Sequence, residues 1–516
     1  MIFSENDNVQ IENHGLTIDK VNAQIARIKS GMVYSNLKEA ATIGNGILKM
    51  DNQQESHYIE LFESKRNTLS MVKFVPASGA ATRMFKFLFQ FLNDYDLKKE
   101  SIQDFINRTG NKNVAIFFKN LEKLPCFEEV VHKIHKVISN YNHLTYDERC
   151  VEFVKTMLDE DRLNYSFYPK GLLPFHKYKI HISTAFEEHL HEAAFYASTN
   201  NHAHLHFTIS KNHQDKFYEE LNHILEDVEN QTAHTFEVSF SYQKMATDTV
   251  ALTESNDVYR EPDGTILFRP SGHGALLENL NELQQDIVFI KNIDNLVVQN
   301  QLEDACKYKK MLAGILLETQ DQIFKYLRLI DTGNLNDNDI NDIAKFLSNT
   351  LHIDIAPDFE NASIESKIFF LKEKLNRPIR VCGMVKNEGE PGGGPFWVKD
   401  ETGNISLQII EFAQIDTSQK SQKEIVKNAT HFNPTDLVCG VRDYKGNKFD
   451  LHEYVDHKAA FITLKSQNGT DIKAFELPGL WNGSMANWNS IFVEIPLSTF
   501  NPVKTVNDLL KPAHQA

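Results

Sequence analysis

Residues 74–86, Phe74-Val75-Pro76-Ala77-Ser78-Gly79-Ala80-Ala81-Thr82-Arg83-Met84-Phe85-Lys86, decide the fold class of this chain. The apolar start reads as the end of a strand. Ser78-Gly79-Ala80-Ala81 reads as a tight turn with little side-chain bulk. Thr82 onward reads as a helix start, with Met84, Phe85, Phe87 and Leu88 for a buried face. A strand–loop–helix unit of this kind can point backbone N–H groups and a helix N-terminus at an anion. Arg83 and Lys86 add fixed positive charge, so the loop suits a triphosphate or a leaving pyrophosphate. An ordinary strand–helix turn carrying surface cations is the other reading of the same residues.

The remainder of the chain alternates in the same way. LHFTIS (205–210), FEVSFSYQ (236–243), TILFR (265–269) and DIVFIKNIDNL (286–296) read as strands, and 184–199 and the stretch after His213 as helices. Such alternation predicts an α/β fold, a three-layer α/β/α arrangement with a mixed, mostly parallel central sheet. In such sheets ligands collect at the C-terminal ends of strands. Ile18, Val21, Ile25, Ile28 and Met32 recur at helical spacing, so residues 1–70 are read as a helical N-terminal cap. Residues 71–300 read as an α/β core with a helical insertion at 87–165, 301–375 as a helical segment, and 376–516 as the C-terminal part of the core. Tyr168 to Phe175, YPKGLLPF, cannot form a regular helix.

With 516 residues, a formal charge of -16 and 24% charged residues, the chain is a broadly acidic globular protein. Nucleic acid and anionic membranes are poor partners for such a surface, and any phosphate site must be a local basic island. No run approaches the ~18 apolar residues of a membrane span, and the opening MIFSENDNVQIENHG lacks a signal-peptide pattern. Cys126, Cys150, Cys306, Cys382 and Cys439 are scattered, odd in number and never in C-x-x-C. They indicate neither a zinc site nor a disulfide framework, and a reducing cytoplasm is the expected compartment. The eight histidines between His176 and His213 match no helix-borne metal pattern.

Further pieces carry chemistry. Lys170 is stiffened between two prolines. Asp294 follows a strand between Asn292 and Asn295; its carboxylate suits Mg²⁺, which needs only one or two protein carboxylates plus phosphates, and equally an Asx-turn. Gln243 has the donor and acceptor that a nucleobase edge requires. Ser271-Gly272-His273-Gly274 permits close backbone approach. Lys386, Glu388 and Gly392-Gly393-Gly394 read as a loop able to approach a sugar, or as a mobile lid. Lys504 is a second candidate phosphate lysine.

The order of these pieces resembles the nucleotidyltransferases of the nucleotide-sugar pyrophosphorylase superfamily, and within it the UDP-sugar pyrophosphorylases. That family has a strand ending in G-G-x-G-T-R, a P-K-G segment, a glutamine near the base, a G-H-G turn, a strand ending N-I-D-N-L, and a late F-x-P-V-K-T…D-L-L. The counterparts are Gly79 to Arg83, Pro169-Lys170-Gly171, Gln243, Gly272-His273-Gly274, Asn292 to Leu296, and Phe500 to Thr505 with Asp508-Leu509-Leu510. They run in the family's order from about residue 71 to residue 510. The chain is also similar to a bacterial branch of that superfamily whose function is unknown. It departs from the pattern at Ser78 and Ala81, where the family has glycines. About eighty residues separate Lys86 from Pro169, where the family has a few.

The resemblance implies a nucleotide-diphospho-sugar transferase type of sheet and an enzyme that joins a nucleoside triphosphate, UTP, to a sugar 1-phosphate, releasing pyrophosphate. It implies Arg83, Lys170 and Lys504 as catalytic cations and Asp294 as the Mg²⁺ ligand. Ser78, Gly79, Ala80, Ala81, Thr82, Gln243, Gly272, His273 and Asn292 would bind the nucleotide, and Lys386, Glu388 and Gly393 the sugar. Two alternatives stay open: a glycosyltransferase-like protein, and a non-catalytic nucleotide-sugar-binding protein on the same fold. The sequence leaves the oligomeric state open.

Overall fold

Val72 and Phe74 alternate along one strand and Val288 and Ile290 along another, and all four enter one buried cluster. The strands, Met71–Pro76 and Ile287–Lys291, pair in parallel with Met71 opposite Ile287 and Phe74 opposite Ile290. Every residue of Ile287–Lys291 is buried, as a strand covered on both faces requires. The computed structural model describes residues 3–355, 358–390 and 392–516. Met1 and Ile2 of the expected cap, Ala356 and Pro357 of the 301–375 segment, and Pro391 of the glycine-rich loop lie outside the described residues.

The chain divides into two compact units. The first comprises Met1–Phe74, Ser241–Ile290 and Tyr308–Leu497, the second Val75–Phe240, Lys291–Lys307 and Ser498–Ala516. These boundaries differ from the segments 1–70, 71–300, 301–375 and 376–516, because both units are assembled from stretches distant in sequence.

The first unit is α/β, with a mixed, mostly parallel sheet. Its strands run Thr42–Ile43, Gly46–Leu48, Asn489–Glu494, Ile379–Lys386, Asp436–Gly440, Ile287–Lys291 and Met71–Pro76. Asp436–Gly440 runs antiparallel to Ile379–Lys386, whereas Asn489–Glu494 runs parallel to it. Helices Glu5–Asn13 and Ile18–Ser30 lay Ile11, Val21, Ile25 and Ile28 on a second, antiparallel sheet through Val250, Leu252 and Phe475. Residues 1–70 are thus only partly helical, since 37–48 supply strands. TILFR contributes only Phe268–Arg269 as a strand. Ile266 instead bridges Arg260, closing the Tyr259–Leu267 turn. Helix Asn52–Lys65 approaches helix Leu302–Asp331 at Gly314, where an added Cβ would collide with the Tyr58 carbonyl.

Asp7 and Arg260 join the first helix to this second sheet through a two-pronged pair, 2.7 and 2.9 Å long. Hydrogen bonds from the Arg260 guanidinium hold the Asp7 carboxyl far below the usual carboxylate range, against the opposing effect of burial. A depressed folded pKa contributes stability above the unfolded value, near pH 4, that is lost as pH falls through the folded value. Because Arg260 is partly exposed and the pair is screened by solvent, Asp7→Asn is expected to destabilise the unit by about 1 kcal/mol at pH 7. The melting-temperature gap from the native chain should narrow progressively below about pH 4. A gap that is constant from pH 7 down to pH 2 would contradict this role.

In the second unit, residues 87–165 are helical, with Phe91 edge-on to Phe105 and Phe117 edge-on to Phe153. Strand His202–Ile209 pairs with Ser198–Thr199, and helices Ala185–Tyr196 and Gln214–Thr232 accompany it. YPKGLLPF makes one 3-10 turn, Lys170–Leu172, before strand Pro174–Lys177. Among the described residues, no helix is long and apolar enough to cross a membrane. All five cysteines are buried, and Cys126, Cys150, Cys382 and Cys439 are free thiols. Burial pushes the Cys126 thiol up to about 12 and the Cys150 thiol up to about 11, which removes them as nucleophiles near neutral pH.

Candidate active site

The loop after Val75-Pro76 is held by main-chain bonds. Ala77 N–H donates to the Thr208 carbonyl (2.8 Å) and Ala81 N–H to the Tyr168 carbonyl (3.1 Å). Lys170 N–H donates to the Gly79 carbonyl (3.2 Å), and Ala80 bridges Pro169 antiparallel. Ser78, Gly79, Ala80, Thr82 and Arg83 are exposed, while Ala81 is buried. Thr82 Oγ1 donates to the Ser166 carbonyl (2.9 Å). Residues 78–82 all avoid positive φ, so Ser78 and Ala81 fit where the family's pattern has glycines. The expected helix start at Thr82 moves: Ala81–Phe85 is a 3-10 turn and the α-helix begins at Lys86. Ala80 supplies no side-chain cap, which favours the tighter turn at this helix entry.

The same loop contact aims Lys170. Its ammonium lies 2.7 Å from Asp294 Oδ2 and also donates to the Val503 carbonyl. Lys504 approaches the same Oδ2 at 3.3 Å from a more exposed position. Arg83 contributes a third positive charge acting on Lys170. Among the described residues Arg83 has no hydrogen-bond or ion-pair partner. Burial pushes the Lys170 ammonium below its ordinary range, with Lys504 and Arg83 adding to the effect and Asp294 opposing it. Burial would raise the Asp294 carboxyl, but the charges of Lys170 and Lys504 outweigh it and hold it low. Two cations on one buried carboxylate, with Arg83 acting on Lys170, leave a local positive excess in a protein of formal charge -16. A multiply charged anion is the ligand that such an island accommodates.

Asp294 Oδ1 accepts no hydrogen bond among the described residues, so one carboxylate oxygen remains for a cation. Among the described residues, no cluster of three or more His, Cys, Asp or Glu side chains could hold a metal by itself. That free oxygen would let Asp294 give Mg²⁺ one protein ligand, with phosphate oxygens and waters completing the shell. Asp508 is engaged elsewhere. It accepts from the backbone N–H groups of Lys504 (2.9 Å) and Thr505 (2.7 Å) and pairs with Lys511 (2.7 Å).

Helix Ala185–Tyr196 carries buried polar side chains that hold these segments in place. Glu192 pairs with Lys291 at 2.6 Å, and His189 Nε2 donates to the Ile293 carbonyl at 3.2 Å. Both partners flank Asn292, which is itself half-buried. Glu188 bonds His176, whose ring meets His514. Sequence reasoning missed this scaffold. The available signal was a helix carrying Glu187, Glu188, His189, His191 and Glu192 within six residues and no purely apolar face.

The first unit holds the other expected residues. Gly272 has φ +78°, and a Cβ there would run into the Glu476 carboxylate. His273 stacks on Trp481 with centroids 4.2 Å apart; its Nδ1 accepts from Leu480 N–H (3.0 Å) and its Nε2 donates to Glu411 (3.1 Å). Glu411 stands opposite Gly393 in the sheet register, so His273 and Gly393 share a neighbourhood. Gly393 opens strand Gly393–Lys399 instead of lying in a loop. At Gly394 a side chain would crowd the Phe396 ring and the His431 carbonyl. Gln243 spends its amide N–H on Asp248 (3.1 Å), which in turn meets His14. Ser271 beside the Gly-His-Gly turn donates to the Thr247 carbonyl (2.7 Å), which keeps the Gln243–Asp248 stretch next to that turn. Lys386 and Glu388 are exposed at the end of Ile379–Lys386.

The chain belongs to the DUF4301 family, a domain of unknown function, whose model matches residues 4–515. No curated protein matches it at a significant level. Among solved structures it is similar to a mutant UDP-glucose pyrophosphorylase from Leishmania major in complex with UDP-glucose. That match has 12% identity, a TM-score of 0.43, and covers 98% of this chain and 77% of that one. It is also similar to a putative UDP-N-acetylglucosamine pyrophosphorylase from Entamoeba histolytica (11% identity, TM-score 0.41, 87% and 79% covered). A UDP-glucose phosphorylase from Trypanosoma brucei gives 13% identity and a TM-score of 0.42, with 95% and 73% covered. These are likenesses in the course of the backbone.

Proposed function

We propose that the protein is a nucleotidyltransferase that joins a nucleoside triphosphate, with UTP the nucleotide implied by the sequence resemblance, to a sugar 1-phosphate. The observation that carries this reading is the meeting of Lys170 and Lys504 on Asp294, with Arg83 exposed beside them. The sugar-phosphate oxygen attacks the α-phosphorus, a new P–O bond forms, and the bond to the β-phosphate oxygen breaks, with pyrophosphate taking the electron pair. Such a reaction needs positioning and charge neutralisation more than a proton-transferring base. Lys170 neutralises the α-phosphate, Arg83 holds the β- and γ-phosphates, and Lys504 engages the sugar phosphate. The loop 78–82 offers backbone groups to the phosphates, and a nucleotide contact for Asn292 follows the resemblance. Held by Asp294 and phosphate oxygens, Mg²⁺ would supply charge neutralisation for the leaving group. Base-side roles for Gln243, Gly272 and His273, and sugar-side roles for Lys386, Glu388 and Gly393, follow the resemblance.

A second reading, a nucleotide-sugar-binding protein without turnover, draws on the single carboxylate in the cation cluster. The two readings separate in a pyrophosphate-release screen that crosses nucleoside triphosphates with sugar 1-phosphates in Mg²⁺. At least one pair should release pyrophosphate, and Asp294→Ala should lower that rate by about 100-fold or more. Thermal stabilisation by nucleotides without release from any pair would favour the binding protein.

A further inference from the structure

Lys504 sits in a segment with almost no regular structure, yet its ammonium must meet Asp294 from a fixed direction. Three contacts hold the main chain just before it. Asn501 N–H donates to Asn295 Oδ1 (2.8 Å), Pro502 bridges Asn295, and Val503 N–H donates to the Asp294 carbonyl (3.0 Å). The Asn501 carbonyl faces the other way, toward His514 Nε2 at 3.1 Å. His514 is fully buried, with Phe175 edge-on to its ring.

The hydrogen-bond directions in this group are determined by what each end can do. A carbonyl only accepts, so His514 Nε2 carries a proton and donates to Asn501. Burial first, and then the charge of His176, push the His514 imidazole down to about 3, so the ring is neutral and its Nδ1 is an acceptor. His176 Nε2, 2.9 Å away, must therefore donate to it. On its other side His176 Nδ1 meets Glu188 Oε1 at 2.9 Å, and that oxygen also accepts from Tyr178 (2.7 Å) and from Ser183. The charges and donors around Glu188 hold its carboxyl below the usual range in spite of burial. A carboxylate on one side and an acceptor on the other require both His176 nitrogens to be protonated. Glu188 and His176 thus form a fully buried ion pair that points one N–H at His514. Asp508 and Lys511 are the remaining charged groups that act on His514.

We propose that His514 is a positioning residue for Lys504: braced by the Glu188–His176 pair, it grips the Asn501 carbonyl and so sets the register of residues 501–504 against Asp294. The functional side of this rests on the phosphate-binding reading of Lys504 given above; the positioning itself does not. It predicts that amide exchange at Val503 and Lys504 quickens at least about 10-fold in His514→Ala, while strand His202–Ile209 exchanges as in the native chain. His514→Asn, whose amide can still donate, should recover part of the protection. With inorganic pyrophosphate as the probe, calorimetry should show affinity weakened about 10-fold by His514→Ala, and by less than about 2-fold when Lys504 is already alanine. In the unaltered protein, ring ¹⁵N shifts should report His176 with both nitrogens protonated and His514 protonated on Nε2 alone.

Unchanged exchange at 503–504 in a folded His514→Ala variant would overturn the proposal. So would a neutral His176, which can be read even where the variant fails to fold. Equal losses on the native and Lys504→Ala backgrounds would show that His514 acts on the unit as a whole. If the native chain does not bind pyrophosphate, the phosphate reading of the cation cluster fails, while the exchange and ¹⁵N measurements still decide the positioning role.

Discussion

Lys170→Ala is expected to lower pyrophosphate release by about 100- to 1,000-fold, the scale seen when one pre-aimed donor to a developing charge is removed. The side chain is mostly buried, braced by Asp294 and the Val503 carbonyl, and its backbone N–H is tied to the Gly79 carbonyl. An ammonium held this way meets an arriving phosphate with little reorganisation. Lys504 is largely exposed and cannot replace it from its own position. The substitution also leaves the Val503 carbonyl without its donor, at a stability loss of about 1–3 kcal/mol. Lys170→Arg should recover little, because a planar guanidinium does not fit a point-charge position between two oxygens. Turnover by Lys170→Ala within a factor of about three of the native rate would remove this residue from the chemistry.

The largest stability effect is expected at Glu192. Its carboxylate and the Lys291 ammonium are 2.6 Å apart with side chains only 1% and 6% exposed. Glu192→Ala strands a buried ammonium in the second unit, which typically destabilises by about 3–5 kcal/mol. Replacing both members, Glu192→Leu with Lys291→Met, should be far milder, since the desolvation of two charges disappears along with their attraction. Denaturant midpoints of the two variants would test this. A double variant no more stable than Glu192→Ala would mean that packing, not charge, is the decisive term. Because Lys291 directly precedes the Asn292–Asp294 turn, Glu192→Ala should also weaken pyrophosphate binding.

Much of the fold was legible residue by residue. Ile287–Lys291 is a run of apolar residues ending at amides and acids, and it forms a fully buried strand where that pattern places one. Ile18, Val21, Ile25 and Ile28 share one helical face, and that face is buried. Misreadings occur where local pattern and non-local packing diverge. TILFR alternates like a longer strand, but Ile266 is drawn into a turn against Arg260. The glycines at 392–394 look like a lid, yet Gly393 and Gly394 belong to a strand, and a side chain at Gly394 would crowd Phe396 and the His431 carbonyl.

The candidate site was legible only in parts. Lys170, Asp294 and Lys504 could each be picked out by residue type and neighbours. Their common point is a property of the tertiary structure, because Asp294 lies 124 residues from Lys170 and 210 from Lys504. Helix Ala185–Tyr196 was placed correctly, but its burial was not foreseeable, since periodicity marks an apolar face and this helix buries glutamates and histidines all round.

By itself the sequence determined the local conformations: which runs extend, which coil, and where Pro169-Lys170-Gly171 forbids a helix. These follow from side-chain shape, backbone freedom and apolar spacing within a few residues. The tertiary structure alone decided that Lys170 and Lys504 reach one carboxylate, that Ser78 and Ala81 suit a loop free of positive φ, and that His514 braces the segment carrying Lys504. Charge convergence and buried hydrogen-bond direction depend on chain segments hundreds of residues apart, and no local spacing encodes where those segments meet.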